Sequence, residues 1–264
     1  MTHDQRALPQ ENRMNKLKYY LQVNRVVLHL LRGLSITFFL FPWIGNEAKK
    51  NRVQIWSQQL LTICGVRVKM NLTSMPRGTV IVSNHISWLD IFVINSLAPC
   101  RFVAKSDIRS WPLIGWLAAQ AGTIYISRGT KADVKRIYQY LIDQIEAGER
   151  IAFFPEGTTA SQGELLPFHA NLFEAAIHAK VPIQPFALRY VDEDGQLHAA
   201  VDFTGDMSFV ESMAKILSGG EVIAEMQGLD SIESADAHRR ELAVAARSAV
   251  AVALQIDIAD IKPS

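Results

Sequence analysis

The sequence predicts an α/β fold: a single layered domain with a largely parallel central sheet flanked by helices, plus an N-terminal membrane-associating helical element. Three observations predict this fold. Short apolar strands alternate with helical patterns after residue 50, polar residues directly follow several of these strands, and an uncharged apolar run lies near the N-terminus. Such alternation is typical of layered domains with parallel sheets. We therefore divide the chain into an N-terminal element, residues 1–50, and a folded domain, residues 51–264.

The N-terminal element combines basic residues with the apolar run 33–45. A spanning helix needs about 20 apolar residues, and extending the run backward brings in His29 and Arg32. A spanning helix, a helical hairpin inserted into one leaflet and a buried core helix are the three alternatives. We favour the one-leaflet anchor, because flanking basic residues and Trp43 suit a helix lying on an anionic surface.

Strands and helices are predicted to alternate along the whole folded domain. A turn at 74–78, which contains Pro76 and Gly78, separates the first two strands, Pro112 precedes a short helix, and Gly148 caps a long amphipathic one. The predicted helices are 54–63, 88–97, 113–119, 131–147 and 235–254, and the predicted strands are 66–72, 79–83, 101–104, 123–127, 151–154, 181–189 and 198–203.

Composition excludes several classes of function. The 264 residues carry a formal net charge of +1 and no basic stripe interleaved with aromatic residues, so no nucleic acid partner is expected. The two cysteines, Cys64 and Cys100, are far apart and form no Cys-x-x-Cys pair. We expect them to be small buried side chains and predict no metal site.

One apolar strand ends in Asn84-His85, and Asp90 follows the histidine by five residues. Five residues along a straight helix leave two side chains about 140° apart, so His85 must lie in the turn before the helix if the two are to touch. Ser87 is the predicted N-cap, with Asp90 in the first turn pointing back. An oriented neutral histidine is a good general base for a hydroxyl. The alternative is that Asp90 only caps and His85 only fills a loop.

Two further strands end in unusual polar residues. One runs from Gly122 to Arg128, and the other leads into Pro155-Glu156-Gly157-Thr158. Ligands of parallel sheets bind beyond the carboxyl ends of strands, so these residues are candidates for a shared site. Taken singly, Arg128 is more often a surface arginine, and Glu156 is more often a solvated loop carboxylate.

Together these segments resemble the glycerolipid acyltransferase family, whose best-known members are the 1-acylglycerol-3-phosphate acyltransferases. The family's N-H-x-x-x-x-D block is matched at Asn84, His85 and Asp90, and its G-x-x-x-x-x-R block from Gly122 to Arg128. Its F-P-E-G-T block is matched at residues 154–158, and its V-P-I-x-P block at residues 181–185.

The resemblance implies a reaction and a site. His85 would deprotonate the acceptor hydroxyl and Asp90 would hold its tautomer, while an acyl thioester on coenzyme A or acyl carrier protein would be the donor and co-substrate. Arg128 and Lys105 are candidate phosphate ligands, although Lys105 fits an exposed lysine or a donor contact equally well. Asn84, Glu156, Gly157 and Thr158 would shape the acceptor site. No cofactor is implied.

Thr159 departs from the family pattern, in which members acting on lysophosphatidic acid usually have arginine. The implied acceptor is 1-acylglycerol-3-phosphate, giving phosphatidic acid; another lysolipid, such as lyso-ornithine lipid, is the alternative. A non-catalytic lipid-binding scaffold and a thioesterase are the rival classes. We expect a membrane-associated protein whose active site faces the cytoplasm.

Overall fold

The structure, a computed structural model, describes residues 10–71, 77–126 and 131–257. Its helices are α1 (Gln10–Ser35), α2 (Asn46–Ile63), α3 (Leu89–Leu97), α4 (Ile114–Gln120), α5 (Lys131–Glu146), α6 (Phe173–Ala179), α7 (Phe209–Ser218) and α8 (Arg239–Leu254). Its strands are β1 (Val66–Met70), β2 (Val80–Ser83), β3 (Arg101–Lys105), β4 (Ile124–Ile126), β5 (Ile151–Phe153), β6 (Ile183–Val191) and β7 (Val222–Gly228).

The seven strands form one sheet in the order β1-β7-β6-β2-β5-β3-β4. β6 and β7 pair antiparallel, and every other neighbouring pair is parallel, which confirms the predicted, largely parallel sheet. The carboxyl ends of β2, β3, β4, β5 and β6 therefore lie at one edge of the sheet. This edge is where an α/β protein places its ligands.

Both faces of the sheet are covered, so its central strands are buried on both sides. Ile81 of β2 packs in a core cluster with α2 and α3, whereas Val80 and Val82 pack in a second cluster with α5, α6 and α8. This alternation follows from the two-residue side-chain period of a strand. Cys64 and Cys100 are buried, as predicted, and burial raises the pKa of each thiol to about 12.

The N-terminal segment is helical from Gln10 to Trp43, because α1 continues through a π-helical turn, Ile36–Leu40, and a 3-10 turn, Phe41–Trp43. The part Lys18–Trp43 is long and apolar enough to cross a membrane. The chain then turns at Gly45, and α2 packs against α1. At Gly33 an added Cβ would lie 2.7 Å from Nε1 of Trp56, so a side chain there would disrupt this contact.

The structure corrects three features of the prediction. Residues 198–203 form no strand; a 3-10 turn, Ala199–Val201, follows a sharp reversal after β6 instead. Ser87 is not the helix N-cap, because Trp88 occupies that position and the Asp90 carboxylate accepts the free N–H groups. Helices α6 and α7 and strand β7 were not predicted, and α2 begins at Asn46 rather than at 54.

Candidate active site

The candidate site lies where β2, β5 and β3 end side by side. β2 delivers Asn84 and His85, β5 leads into Pro155 and Glu156, and β3 ends at Lys105. Since these strands are parallel neighbours, the residues that follow them meet at one sheet edge. Two of the three strand ends that the sequence singled out, those after β2 and β5, therefore lie side by side, whereas the end of the third, Arg128, lies outside the described residues.

His85 and Asp90 contact each other directly. Nδ1 of His85 lies 2.8 Å from Oδ2 of Asp90, and His85 precedes the helix that carries Asp90. A carboxylate can only accept, so Nδ1 donates and the neutral ring presents its lone pair at Nε2. Among the described residues, no hydrogen-bond partner occupies Nε2. The side chain is partly exposed, so a hydroxyl can reach this nitrogen.

Asp90 is fully buried and receives four hydrogen bonds. Besides His85, its Oδ2 accepts from the backbone N–H groups of Ile86, at 2.7 Å, and Ser87, at 3.0 Å. Its Oδ1 accepts from the phenol of Tyr190 on β6, at 2.6 Å. Charge-assisted hydrogen bonds of this kind compensate for the loss of water around a buried carboxylate.

Sequence reasoning missed Tyr190, which lies 100 residues beyond Asp90. Burial, together with the adjacent Asp90 charge, raises the pKa of Tyr190 well above its usual value, so the phenol stays protonated and donates. Pairing β2 with β6 brings this side chain to the site. Nothing in the local sequence around Tyr190 indicates such a partner.

The backbone of His85 is also held from both sides. Its N–H donates to Oε1 of Glu156 at 2.7 Å, and its carbonyl accepts from the N–H of Ala160 at 2.8 Å. The imidazole stacks on the ring of Phe154, with centroids 3.9 Å apart and planes inclined by 6°. The segment after β5 therefore fixes both the position and the plane of the histidine.

Glu156 is buried and does not point into open solvent. Its second oxygen, Oε2, accepts from the N–H of Leu166 at 2.9 Å. Burial raises the pKa of this carboxyl to about 7, against the opposing effect of the N–H donors of Leu166 and His85. Arg247 of α8 provides a nearby positive charge and donates to the carbonyl of Leu165 at 2.6 Å. Glu156 therefore connects the backbone of His85 with the loop that contains Leu165 and Leu166.

Asn84 forms a two-point bond to β6 and is buried. Its Nδ2 donates to the carbonyl of Leu188 at 2.8 Å, and its Oδ1 accepts from the N–H of Leu188 at 2.8 Å. The amide thus extends the pairing of β2 and β6 by one residue. Both polar atoms of the Asn84 side chain are therefore engaged with the backbone of Leu188.

The remaining predicted residues differ in how they are placed. Gly157 has φ of +70°, a conformation that favours glycine, and both it and Thr158 are exposed beside the site. Lys105 is exposed at the end of β3 and pairs in register with Ile126 of β4. Arg128 lies outside the described residues.

Thr159, where the chain departs from the family pattern, is hydrogen-bonded to residues 198–203, the segment predicted to be the last strand. Its hydroxyl donates to the carbonyl of Phe203, and the N–H of Phe203 donates to the carbonyl of Ile86 at 3.2 Å. These bonds close the site on the side of residues 199–203.

An apolar cavity of about 330 Å³ has His85 in its wall. Its walls come from α1, α2, α3, the segment 104–123 and α7. The side chains that line it include Trp56, Trp88, Phe92, Phe102 and Thr159. A cavity of this size and character suits a hydrocarbon chain whose reactive end lies at the histidine. In the described residues no group of three or more histidine, cysteine or acidic side chains is arranged to hold a metal ion.

An oriented histidine in the wall of an apolar cavity is the arrangement of an enzyme that acts on an amphipathic substrate. A sequence profile described as Acyltransferase matches residues 66–189. The chain is 37% identical to a lyso-ornithine lipid O-acyltransferase of Pseudomonas aeruginosa, over 75% of this chain and 76% of the relative. It is 33% identical to a 1-acyl-sn-glycerol-3-phosphate acyltransferase of Neisseria gonorrhoeae, over 74% of this chain and 75% of the relative.

The fold is shared with the crystal structure of the 1-acyl-sn-glycerophosphate (LPA) acyltransferase PlsC from Thermotoga maritima. The TM-score is 0.68 at 18% identity, covering 93% of this chain and 95% of that chain. The chain belongs to the acyltransferase family and is an O-acyltransferase. The predicted family and reaction type are therefore confirmed.

Proposed function

We propose that His85 is the general base of acyl transfer from a thioester to the hydroxyl of a membrane lysolipid. The observation that carries the proposal is the Nδ1–Asp90 contact at 2.8 Å, which leaves Nε2 of a cavity-lining histidine available to a substrate. Nε2 takes the hydroxyl proton as the oxygen attacks the thioester carbonyl, so the acceptor itself is the nucleophile.

The tetrahedral intermediate then collapses with cleavage of the carbon–sulfur bond. The proton held at Nε2 passes to the departing thiolate, which restores neutral His85 and releases a free thiol and the new ester. Asp90 stabilises the imidazolium between these two steps and keeps the ring turned. Asn84, Glu156 and Tyr190 act as positioning residues, whereas Gly157 and Thr158 shape the acceptor site.

We propose 1-acylglycerol-3-phosphate as the acceptor and phosphatidic acid as the product. Lys105 supports this choice, because it is an exposed cation at the same sheet edge as His85. The family resemblance assigns Arg128, the last residue of the G-x-x-x-x-x-R block, to the same phosphate. A guanidinium and an ammonium together suit a phosphate monoester.

Lyso-ornithine lipid is the second candidate acceptor, and one observation favours it. Thr159 lines the cavity with its hydroxyl committed to Phe203, so this position supplies no positive charge to a phosphate. A lost charge-assisted hydrogen bond is worth about 1.5–3 kcal/mol. The relative from Pseudomonas aeruginosa described above is a lyso-ornithine lipid O-acyltransferase.

The donor is proposed to be acyl-CoA or an acyl carrier protein, with its acyl chain in the apolar cavity. The chemistry uses only side-chain and backbone groups, so no cofactor enters the scheme. We further propose that residues 1–50 anchor the protein in one leaflet, ahead of the catalytic domain 51–264, with the active site facing the cytoplasm. The long apolar helix supports membrane association.

A lysolipid panel tests the proposal. Purified protein is incubated with a thioester donor and lysophosphatidic acid, lyso-ornithine lipid or no acceptor, and the lipid products and free fatty acid are identified. We expect a diacyl product that depends on the acceptor and an equal amount of released thiol. Free fatty acid formed at the same rate with and without lysolipid would establish a thioesterase instead. No turnover with any pair would favour the scaffold alternative.

A further inference from the structure

The segment 111–116 exposes large apolar side chains that the proposed chemistry does not use. Trp111, Leu113, Ile114 and Trp116 are 42%, 62%, 36% and 39% exposed, and they lie within six consecutive residues. Single exposed apolar residues are ordinary, but clustered ones mark an interaction surface.

The backbone holds Leu113 outward in a strained conformation. Leu113 has φ of 62° and ψ of −48°, and the N–H of Ile114 donates to the carbonyl of Pro112 at 2.6 Å. This three-residue turn with positive φ is rare and unfavourable for a residue with a side chain. Glycine would adopt this conformation with less strain. The presence of a leucine at this exposed position therefore needs an explanation.

The segment packs closely against the residues around it. An added Cβ at Gly115 would lie 2.3 Å from the carbonyl oxygen of Arg109, which shows how closely the two backbone stretches approach. The Tyr125 hydroxyl donates to the carbonyl of Gly115 at 2.9 Å. The exposed side chains are thus presented on a fixed support.

The cavity that leads to His85 connects this segment with the N-terminal helix. Trp111 and Ile114 line the cavity from one side, and Ile36 and Phe41 line it from another. Phe38, Phe39 and Trp43, next to Ile36 and Phe41 in the chain, are strongly exposed. Two exposed apolar surfaces therefore border the same cavity.

The charges near the segment suit the surface of an anionic bilayer. Lys105 and Arg109 are exposed just before it, with Asp107 between them. Basic residues contribute attraction to anionic headgroups, and tryptophan side chains favour the boundary between headgroups and acyl chains. A leucine side chain adds apolar surface, and burying that surface in the bilayer strengthens membrane binding.

We propose that the segment 111–116 is a second membrane contact, which inserts Leu113 and Trp116 into the same leaflet as the N-terminal helix. The occupant of this surface is the lipid bilayer. Contacts on both sides of the cavity mouth would seat it on the membrane, so that a lysolipid and an acyl chain reach His85 without crossing water. The proposal concerns membrane binding and does not depend on the identity of the acceptor.

The test compares Leu113→Gly with wild type in the full chain. Leu113 does not line the cavity, and glycine removes the backbone strain, so we expect an unchanged or higher melting temperature. Binding to mixed phosphatidylcholine and phosphatidylglycerol vesicles is expected to weaken about tenfold, from the lost insertion of one leucine side chain. Val252→Ala on α8 is the control, because Val252 is 66% exposed on a helix whose buried face packs in the second core cluster.

A second measurement locates the contact directly. An environment-sensitive fluorophore is attached to Leu113→Cys or Val252→Cys; both native cysteines are buried and should not be labelled. We expect vesicles alone to shift emission to the blue at position 113 and not at position 252. Unchanged vesicle affinity of Leu113→Gly, or emission at 113 that shifts with acyl carrier protein and not with vesicles, would overturn the proposal.

Discussion

At the scale of single residues, the Asp90 carboxylate is what orients His85, and it depends on donors from the loop after β2 and from β6. Its neighbours Ile86 and Ser87 supply backbone N–H groups, while Tyr190 reaches it from β6. Ser87 Oγ is buried and, among the described residues, without a hydrogen-bond partner, so the predicted Ser87 cap is replaced by the carboxylate itself.

Tyr190→Phe removes one of these four donors and leaves Oδ1 of Asp90 buried without it. We expect the free energy of unfolding to fall by about 1–3 kcal/mol and kcat to fall with little change in KM. Chemical denaturation and steady-state kinetics provide the measurement. Tyr138→Phe, which deletes a solvent-exposed hydrogen bond from a half-buried tyrosine to the Asn171 carbonyl, is the control. Equal effects of the two substitutions would contradict the assigned role.

The raised pKa of Glu156 makes a prediction about pH. Because the folded pKa of about 7 exceeds the ordinary value of 4.5, this group favours the folded state fully below pH 4.5, and that contribution is lost as pH rises through 7. Glu156→Gln removes the titration. The stability difference, wild type minus Glu156→Gln, should therefore decrease between pH 5 and pH 8 in thermal unfolding scans. A constant or growing difference would show that the carboxyl is not perturbed in this direction.

At the scale of elements, α8 is connected to the histidine through a short series of hydrogen bonds. Arg247 donates to the Leu165 carbonyl, the Leu166 N–H donates to Glu156, and Glu156 accepts from the His85 N–H. The order of the strands explains why the loop after β5 can serve this purpose, since β5 lies directly beside β2.

Arg247→Met breaks the first of these bonds and removes the positive charge near Glu156. We expect a loss of about 1–3 kcal/mol in stability and a reduced kcat, because the loop that holds the His85 backbone loses a support. Arg240→Met changes an exposed arginine of the same helix and should alter neither quantity. If both variants behave as wild type in urea unfolding and turnover, α8 does not position the site.

Sequence patterns predicted the elements that carry local signals. β2 and β5 are continuous apolar runs, and the polar residues at their ends predicted the edge where the site lies. β7 was missed because Glu225 and Gln227 interrupt its apolar run, and its place beside β6 depends on antiparallel pairing. The partners Tyr190 and Arg247 depend on the folded chain, so no spacing in the sequence indicates them.

At the scale of the whole molecule, the N-terminal helix is both the proposed membrane anchor and a wall of the cavity. Val26 and Phe41 are buried in the core or cavity wall, and His29 stacks on Trp56 of α2. The division at residue 50 remains a prediction, and extensive contacts cross it. Deleting residues 1–45 would therefore open the cavity as well as remove the anchor.

A surface variant separates the two roles. Phe38, Phe39 and Trp43 are exposed and absent from the cavity wall, so changing all three to serine should leave the fold intact. We expect the variant to move from the membrane fraction to the soluble fraction, with melting temperature within a few degrees of wild type. Full retention in the membrane fraction would exclude this tip as the anchor.

The rate of acceptor-dependent thiol release, measured for His85→Ala beside wild type, tests most directly whether Nε2 lifts the hydroxyl proton. His178→Ala alters an exposed histidine of α6 and controls for loss of a histidine elsewhere. We predict a loss of about 10²–10⁴-fold for His85→Ala with unchanged circular dichroism, and no loss for His178→Ala. A folded His85→Ala protein that transfers acyl groups at the wild-type rate would contradict the account.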